Sequence, residues 1–491
     1  MGRLACPAAI AVALVFAASP ARPGDFELPA DGSCQPGGGL RSLPGAEDVG
    51  TVPLRPGDVY TLERLGSLRF HLPAAIYEQR EKFFFEGMRL VIGPCFRDYG
   101  PPSFFREATA KFRGQARLRP DGGLEGYTAG EPFAREDLSA DDPAVATKWA
   151  WNVAMRYQGA GFRGRFRITD LVGRTGRAEP FEGEIFKILT AHRADLAETG
   201  YRVADARDTW WVAGGIFLEP FAAREFSWRQ YRSLEVLASS DRSDDLHAYL
   251  PEWRRVRRLN ASRVEGLFLP SFSVGVQPSQ QLAVGSGDPS AGAGGVASAG
   301  GPAAVGGQIT PKRSGFEGLE LRPNLYEFRL LGLHDVLAPI NVTKPLYPTE
   351  PDRDFGPWGL SFADDTWDLR RAIVLEGRGR SPAGGEQVAR FVAYYDLQTL
   401  VPLYYMAYDS RDELTDIGVF AGRWSEDRED YPRWPDDPAR PVRVIDSVGE
   451  AFANLSESGS WRRESDQLVA TPPPDRKLRA LLSVSGLTRR R

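Results

Sequence analysis

Four histidines and three cysteines are all that 491 residues offer a transition metal. His71, His192, His247 and His334 are scattered, with no H-E-x-x-H and no close pair, and no two cysteines form C-x-x-C. Zinc hydrolysis, structural zinc and thioredoxin-like exchange therefore lack a sequence basis. A G-x-S-x-G elbow, a P-loop and a strand-linked G-x-G-x-x-G are missing too, and with them the usual marks of serine hydrolases and nucleotide binders. Basic excess is absent: Lys+Arg 61 against Asp+Glu 65 gives a net charge of −4, which argues against nucleic acid as the main partner. Beyond the first residues no apolar run approaches the ~20 residues of a membrane helix.

What is present is aromatic area: Trp 11, Tyr 16 and Phe 27, in a chain that is 42% hydrophobic and can build a large core. The start reads as an export signal: Arg3, the uncharged apolar run Leu4–Ala18, and Ser19-Pro20-Ala21, with cleavage expected after Ala21. Cys6 precedes the apolar run and Cys34 follows Asp31-Gly32-Ser33, so neither fits a lipid-anchoring motif. Cleavage leaves Cys34 and Cys95, an even pair compatible with one disulfide in an oxidising compartment. Two free buried thiols are the alternative. The mature protein is expected to be soluble and periplasmic, at most peripheral to a membrane.

Along the chain, residues 22–70 read as an irregular arm, rich in Pro and Gly up to residue 57. Leu72–Met88 carries helix signals, with Phe83-Phe84-Phe85 covering more than one helix face. Phe104–Leu118 alternates aromatics with charge, Pro120-Asp121-Gly122-Gly123 is a turn, and Leu124–Tyr127 starts a return strand. Pro143–Tyr157 has a helical apolar face, capped by Asp141 or Asp142. Strand rhythm follows at Gly159–Gly176, Trp210–Leu218, Glu225–Tyr231, Asn324–Leu333, Arg370–Glu376 and the hairpin Val388–Tyr408. Val276–Gln308 is Gly-, Ala-, Ser- and Pro-rich and reads as a flexible insertion, too poor in apolar residues to offset ordering entropy. Residues 426–491 read as a C-terminal extension with a short helix at Asp475–Leu482. Few long helices and many hairpins favour a largely antiparallel sheet over a βαβ fold.

The densest stretch is Asp241–Leu259. Leu246-His247-Ala248-Tyr249-Leu250 alternates like a strand, Pro251 ends it, and Trp253, Val256 and Leu259 stand among Arg254, Arg255, Arg257 and Arg258. A solvated arginine-rich strand is the plain reading. The pattern Leu-x-x-Tyr-Leu-Pro-x-x-Arg-Arg-Val-Arg-Arg-Leu resembles a signature of periplasmic proteins related to outer-membrane lipoprotein-sorting factors of the LolA/LolB-like fold, and more closely the bacterial family catalogued as domain of unknown function 1329. Ile76–Met88, Lys148–Asn152, Val336–Asn341 and Tyr394–Tyr408 fit it as well, so the resemblance covers roughly residues 70–425. It implies a mainly β fold with some α, in which a large curved antiparallel sheet forms an incomplete barrel with a helical lid. A single domain over 71–425 is then expected.

The same resemblance implies a carrier or receptor for lipids, lipoprotein acyl chains or a hydrophobic small molecule, with an RND-type exporter or an outer-membrane component as partner and no cofactor. Phe83, Phe84, Trp211, Tyr394 and Tyr405 are the expected aromatic lining, and Tyr249, Leu250, Trp253, Arg255 and Arg257 the mouth. Two other classes stand beside the carrier: a structural accessory subunit without cargo, and an envelope hydrolase using Asp364-Asp365 or Asp436-Asp437. An unfilled apolar cavity of at least about 300 Å³ fits the carrier. A packed chamber fits the subunit.

Overall fold

The computed structural model describes Cys34 and residues 53–174, 176–177, 180–204, 206, 208–251, 254–259, 266–269, 320–349, 352–380, 388–455, 460–466 and 475–487. The expected signal segment, most of the arm, Trp253 and the insertion 276–308 lie outside the described residues.

The described strands are, in chain order, β1 (Val59–Tyr60), β2 (Leu90–Cys95), β3 (Arg117–Leu118), β4 (Leu124–Glu125), β5 (Gly161–Val172), β6 (Gly176–Arg177), β7 (Phe181–Leu189), β8 (Thr209–Glu219) and β9 (Ser227–Ser233). They continue as β10 (Asp245–Leu250), β11 (Arg255–Leu259), β12 (Tyr326–Ala338), β13 (Thr366–Gly379), β14 (Arg390–Asp396), β15 (Pro402–Tyr408), β16 (Leu414–Trp424), β17 (Ile445–Asn454) and β18 (Ser460–Ser465). Six α-helices are found among the described residues: α1 (Ala74–Glu78), α2 (Arg80–Phe83), α3 (Ser103–Lys111), α4 (Val145–Ala154), α5 (Glu235–Ala238) and α6 (Asp475–Leu482).

Sixteen strands share one sheet; β3 and β4 pair by themselves. The long path runs β12-β13-β14-β15-β16-β17-β18-β5-β7-β8-β9-β10-β11, antiparallel throughout. β2 is the exception, running parallel to the start of β13. The sheet does not stop where the sequence reading placed an extension. β17 and β18 sit in its middle and join β16 to β5. Their apolar alternation is diluted by Asp446, Glu450, Arg462, Arg463 and Glu464, all buried, so the pattern that marks a core strand is hidden by ion pairs such as Arg463–Glu450 at 2.5 Å.

Two further expectations change. The helix expected over Leu72–Met88 is two short ones, broken at Gln79 (φ −99°, ψ 28°), after which Phe84 is extended. The first arm of the hairpin expected from Phe104 is helix α3, which follows Pro101-Pro102 and buries Phe105 and Ala108 at three-residue spacing. Aromatic-charge alternation there mimics a strand. The strand expectations at Trp210–Leu218 and Val388–Tyr408 coincide with β8 and the β14–β15 hairpin.

Each sheet face is covered by different segments. Directly paired residues of antiparallel strands share a face. One face carries Ile373, Leu375, Phe391, Tyr405, Phe420, Phe452 and Trp461 against α4, and continues through Phe166, Ile185, Phe217 and Trp228. The other carries Val374, Tyr394, Tyr404, Met406 and Val419 under the N-terminal layer of Leu65, Leu68, Ile76, Phe83 and Phe84. Cys34 and Cys95 are joined by a disulfide, with Cα atoms 5.2 Å apart, which ties the arm to β2.

Candidate functional site

The family-like motifs mostly build structure. In α4, Trp149 packs toward β12–β14, while Trp151 turns to Trp210 and Trp211 and donates its indole N–H to the Gly122 carbonyl at 3.0 Å. Asn152 exchanges two hydrogen bonds with the Phe133 backbone, at 2.7 and 3.0 Å. Asp142 does not cap the helix from the N-cap position, which is Ala144. It accepts the Ala144 N–H at 2.8 Å and pairs with Lys148 at 2.6 Å. Asn341 clamps two segments, accepting the Trp424 N–H and donating to Asp427, both at 2.8 Å.

Of the ten residues expected to meet a ligand, Trp253 lies outside the described residues and the other nine do not converge. Phe83 and Phe84 lie in the N-terminal layer, Phe84 with its ring 5.8 Å from Trp367. Tyr394 and Tyr405 are on opposite faces of the sheet. Trp211 is buried beneath Arg232, whose guanidinium is 4.6 Å from its ring. Leu250 faces the buried cluster of Leu246 and Ala248, whereas Tyr249 faces the other way. Arg255 pairs with Leu250 and Arg257 with Ala248, so both are exposed on the face away from Tyr249. Arg258 forms an ion pair with Asp245.

A cavity of about 60 Å³ lies between the end of α4, Phe420 and Ile445. Deeper in, Lys187 is completely buried; it pairs with Glu320 and donates to Gln158 at 2.8 Å. Burial pushes its pKa down to about 8, against the pull of Glu320. Arg232 and Asp244 make a second fully buried pair at 2.9 Å. A cavity of this size has no room for the long acyl chain of a lipid.

Room exists on the opposite face. A cleft of about 1380 Å³ lies over β5, β7, β8 and β9, bounded by α6 and the turn after β10. Strand alternation explains its chemistry. Phe162, Phe166 and Ile168 of β5 point to the α4 face, which puts Arg163, Arg165 and Arg167 on the cleft face. Phe186, Ile216 and Leu218 add apolar wall, with Leu481 and Leu487 opposite. α6 is held by Leu481 packing on Phe186, Ile188 and Val212. Arg229 donates to the Leu481 carbonyl at 3.1 Å and stacks 4.7 Å from the Phe186 ring. The turn contributes Tyr249, Pro251 and Arg254. Six basic side chains line the cleft against four acidic ones, and Arg163, Arg165 and Arg254 are exposed at its rim. Of the nine described residues expected at a site only Tyr249 is part of it. The sequence reading missed the cleft arginines; the alternate spacing Arg163-x-Arg165 in β5 is the signal that could have found them.

The carboxylate pairs are occupied by structure. Asp365 binds Arg353 at 2.6 Å and Thr343 at 2.8 Å, Asp364 pairs with Lys344, and Asp436 pairs with Arg440. Among the described residues no group of His, Cys, Asp and Glu could hold a metal ion, and no helix is long and apolar enough to cross a membrane.

These features define a mainly β protein with some helix, built on one large sheet and bearing an amphiphilic cleft. The chain belongs to the family described as protein of unknown function (DUF1329), which matches residues 70–266 and 304–430. The break falls on most of the segment 276–308. Among solved structures it is similar to a candidate outer-membrane lipoprotein-sorting protein domain from Vibrio parahaemolyticus, at 13% identity and a TM-score of 0.39 over 71% of this chain and 100% of that one. It is also similar to a DUF1329 family protein from Desulfovibrio piger (13%, TM-score 0.40, 69% of this chain, 96% of that one). A LolA superfamily protein from Nitrosomonas europaea matches at 10% and a TM-score of 0.29, over 66% of this chain and 92% of that one. Likeness at this level carries no ligand or activity across. No curated protein matches the chain.

Proposed function

We propose that this protein is a periplasmic carrier for an anionic amphiphile, such as a lipid, held in the cleft under α6 with its charged group at Arg163, Arg165 and Arg254. The observation that carries the reading is the cleft itself: about 1380 Å³, with apolar walls and an exposed arginine rim. That space exceeds the roughly 300–1,000 Å³ of ordinary small-molecule sites, and guanidinium groups bind phosphate and carboxylate bidentately. The expected mouth residues are thereby narrowed to Tyr249 and its neighbours.

The reading includes a sheet curled into an incomplete barrel around α4 as lid. Supporting this, α4 packs on β12, and its Trp151 and Ala154 join a cluster with Trp210 and Trp211 of β8. Those strands are nine steps apart in the sheet, about 43 Å if flat, whereas a ten-residue helix is about 15 Å long. A crystal structure with an open, flat sheet would contradict it. Export rests on the N-terminal signal and the Cys34–Cys95 pair; N-terminal sequencing of the exported protein should begin at Arg22. An RND-type exporter or an outer-membrane component is the partner class assigned, tested by cross-linking in intact cells and co-purification. Residues 276–308 are assigned as a dispensable insertion, so their deletion should leave cooperative unfolding intact.

The decisive test is lipid mass spectrometry on the purified periplasmic protein, together with binding of a fluorescent phosphatidylglycerol. Lipid should co-purify. Arg163→Gln with Arg165→Gln should weaken binding about tenfold at low salt and less at high salt. Protein free of lipid that also ignores the probe would end the carrier reading and leave the accessory subunit.

A further inference from the structure

Arg156 follows the C-terminal end of α4 and is only 6% exposed. Several arginines this deep face carboxylates: Arg370 meets Asp396 at 2.7 Å, Arg353 meets Asp365 at 2.6 Å and Arg463 meets Glu450 at 2.5 Å. Arg322 and Arg229 donate to backbone carbonyls, at 2.9 and 3.1 Å. Among the described residues no carboxylate lies within ion-pair distance of Arg156. Its hydrogen bond goes to the Val153 carbonyl, from Nη1 at 3.1 Å. A guanidinium keeps its proton in proteins, so a positive charge is buried here with no carboxylate in direct contact. Glu320 acts on it from a distance but is itself in contact with Lys187, and burying an ion without a contact partner is costly.

The guanidinium borders the cavity of about 60 Å³ and two smaller adjoining ones of about 20 and 30 Å³. The largest of the three is lined by the polar Arg156, Gln158 and Ser447 and by the apolar Leu403, Phe420 and Ile445. Tyr157, Gln158, Val444 and Ser447 are half-buried. Asp446 also lines the space. Its carboxyl is occupied by the Tyr431 hydroxyl at 2.9 Å and by Arg428 at 3.5 Å, so it does not reach across to neutralise Arg156, and its presence disfavours a multiply charged guest.

We propose that this cavity is a binding site for a carboxylate monoanion with a short apolar tail, its carboxylate on Arg156 and its tail against Phe420, Leu403 and Ile445. The site shares no lining residue with the lipid cleft and does not depend on it. Free short-chain acids and the carboxyl end of a long-chain acid share this chemistry. The small volume favours the short acid; the long one would have to displace α4.

The test is thermal unfolding and titration calorimetry of the full chain with hexanoate, oleate, phosphate and chloride at constant ionic strength. Hexanoate should bind saturably and raise the midpoint, chloride and phosphate should not, and Arg156→Gln should weaken hexanoate at least tenfold. Ala421→Leu, which fills the cavity and leaves Arg156 in place, should do the same, and it serves if Arg156→Gln fails to fold. Oleate binding with equal dependence on Arg156 would identify the long-chain source. Absence of saturable hexanoate and oleate binding, phosphate binding as tight as hexanoate, or undiminished binding by either folded variant would overturn the proposal.

Discussion

At the scale of single residues, Asp446 shows how this protein places charge where the sequence pattern expects apolar side chains. Burial raises its pKa to about 7, opposed by the Tyr431 hydroxyl and by Arg428 and Arg423. An unfolded aspartate titrates near about 3.9. Between about pH 4 and pH 7 the folded chain therefore holds a proton that the unfolded chain has lost, and stability falls as pH rises through that window. His192 acts in the opposite sense: burial lowers its pKa to about 4, so below pH 6.5 it adds stability with rising pH. The difference between wild type and Asp446→Asn isolates the carboxyl. The variant's unfolding free energy should fall less from pH 5 to pH 8, by up to about 1.4 kcal/mol per unit across the window. Parallel pH profiles would mean that Asp446 titrates normally. None of this was legible beforehand, because an aspartate flanked by Ile445 and Ser447 looks the same whether it is solvated or buried.

At the scale of elements, β8 was the easiest to read and the least tolerant. Trp210–Leu218 declares itself by an apolar run closed by Glu219-Pro220. What the run conceals is why Gly214 and Gly215 interrupt it. A Cβ on Gly215 would lie 2.4 Å from the Glu184 carbonyl oxygen and 2.5 Å from the Trp228 ring. The indole thus occupies the place of a side chain on the neighbouring strand. Gly215→Ala should cost about 1–3 kcal/mol by overpacking and lower the thermal midpoint; an unchanged midpoint would show that Trp228 can withdraw. Helix α4 was legible by its apolar face, and α6 by its position in the tail. Helix α3 was not, because Phe104 and Phe105 beside charges imitate strand alternation, and the helix shows only once Phe105 and Ala108 have something to pack on. The cleft was not read from the sequence. Arg163 and Arg165 alternate along β5 at its rim, but α6, its far wall, comes from some 300 residues further along the chain.

At the scale of the whole molecule, local patterns named most strands but not their order. Neighbours in the sheet such as β5 and β18 are separated by most of the chain, and periodicity carries no information about such distant pairing. The family match ends at residue 430, yet β17 and β18 begin at Ile445 and Ser460. A chain cut after residue 430 should therefore lose cooperative unfolding and near-UV aromatic signal altogether. A cut chain that still unfolds in one sharp transition would show that the two remaining strand sets are self-sufficient. The position of these two strands also governs the order of events in biogenesis. Until residue 465 is available, β5 and β16 are open edges, and unpaired edges invite association with other chains. A sheet bridged by β17 and β18 cannot close before they are made. Were the chain exported unfolded, as proposed above, that delay would keep it exportable.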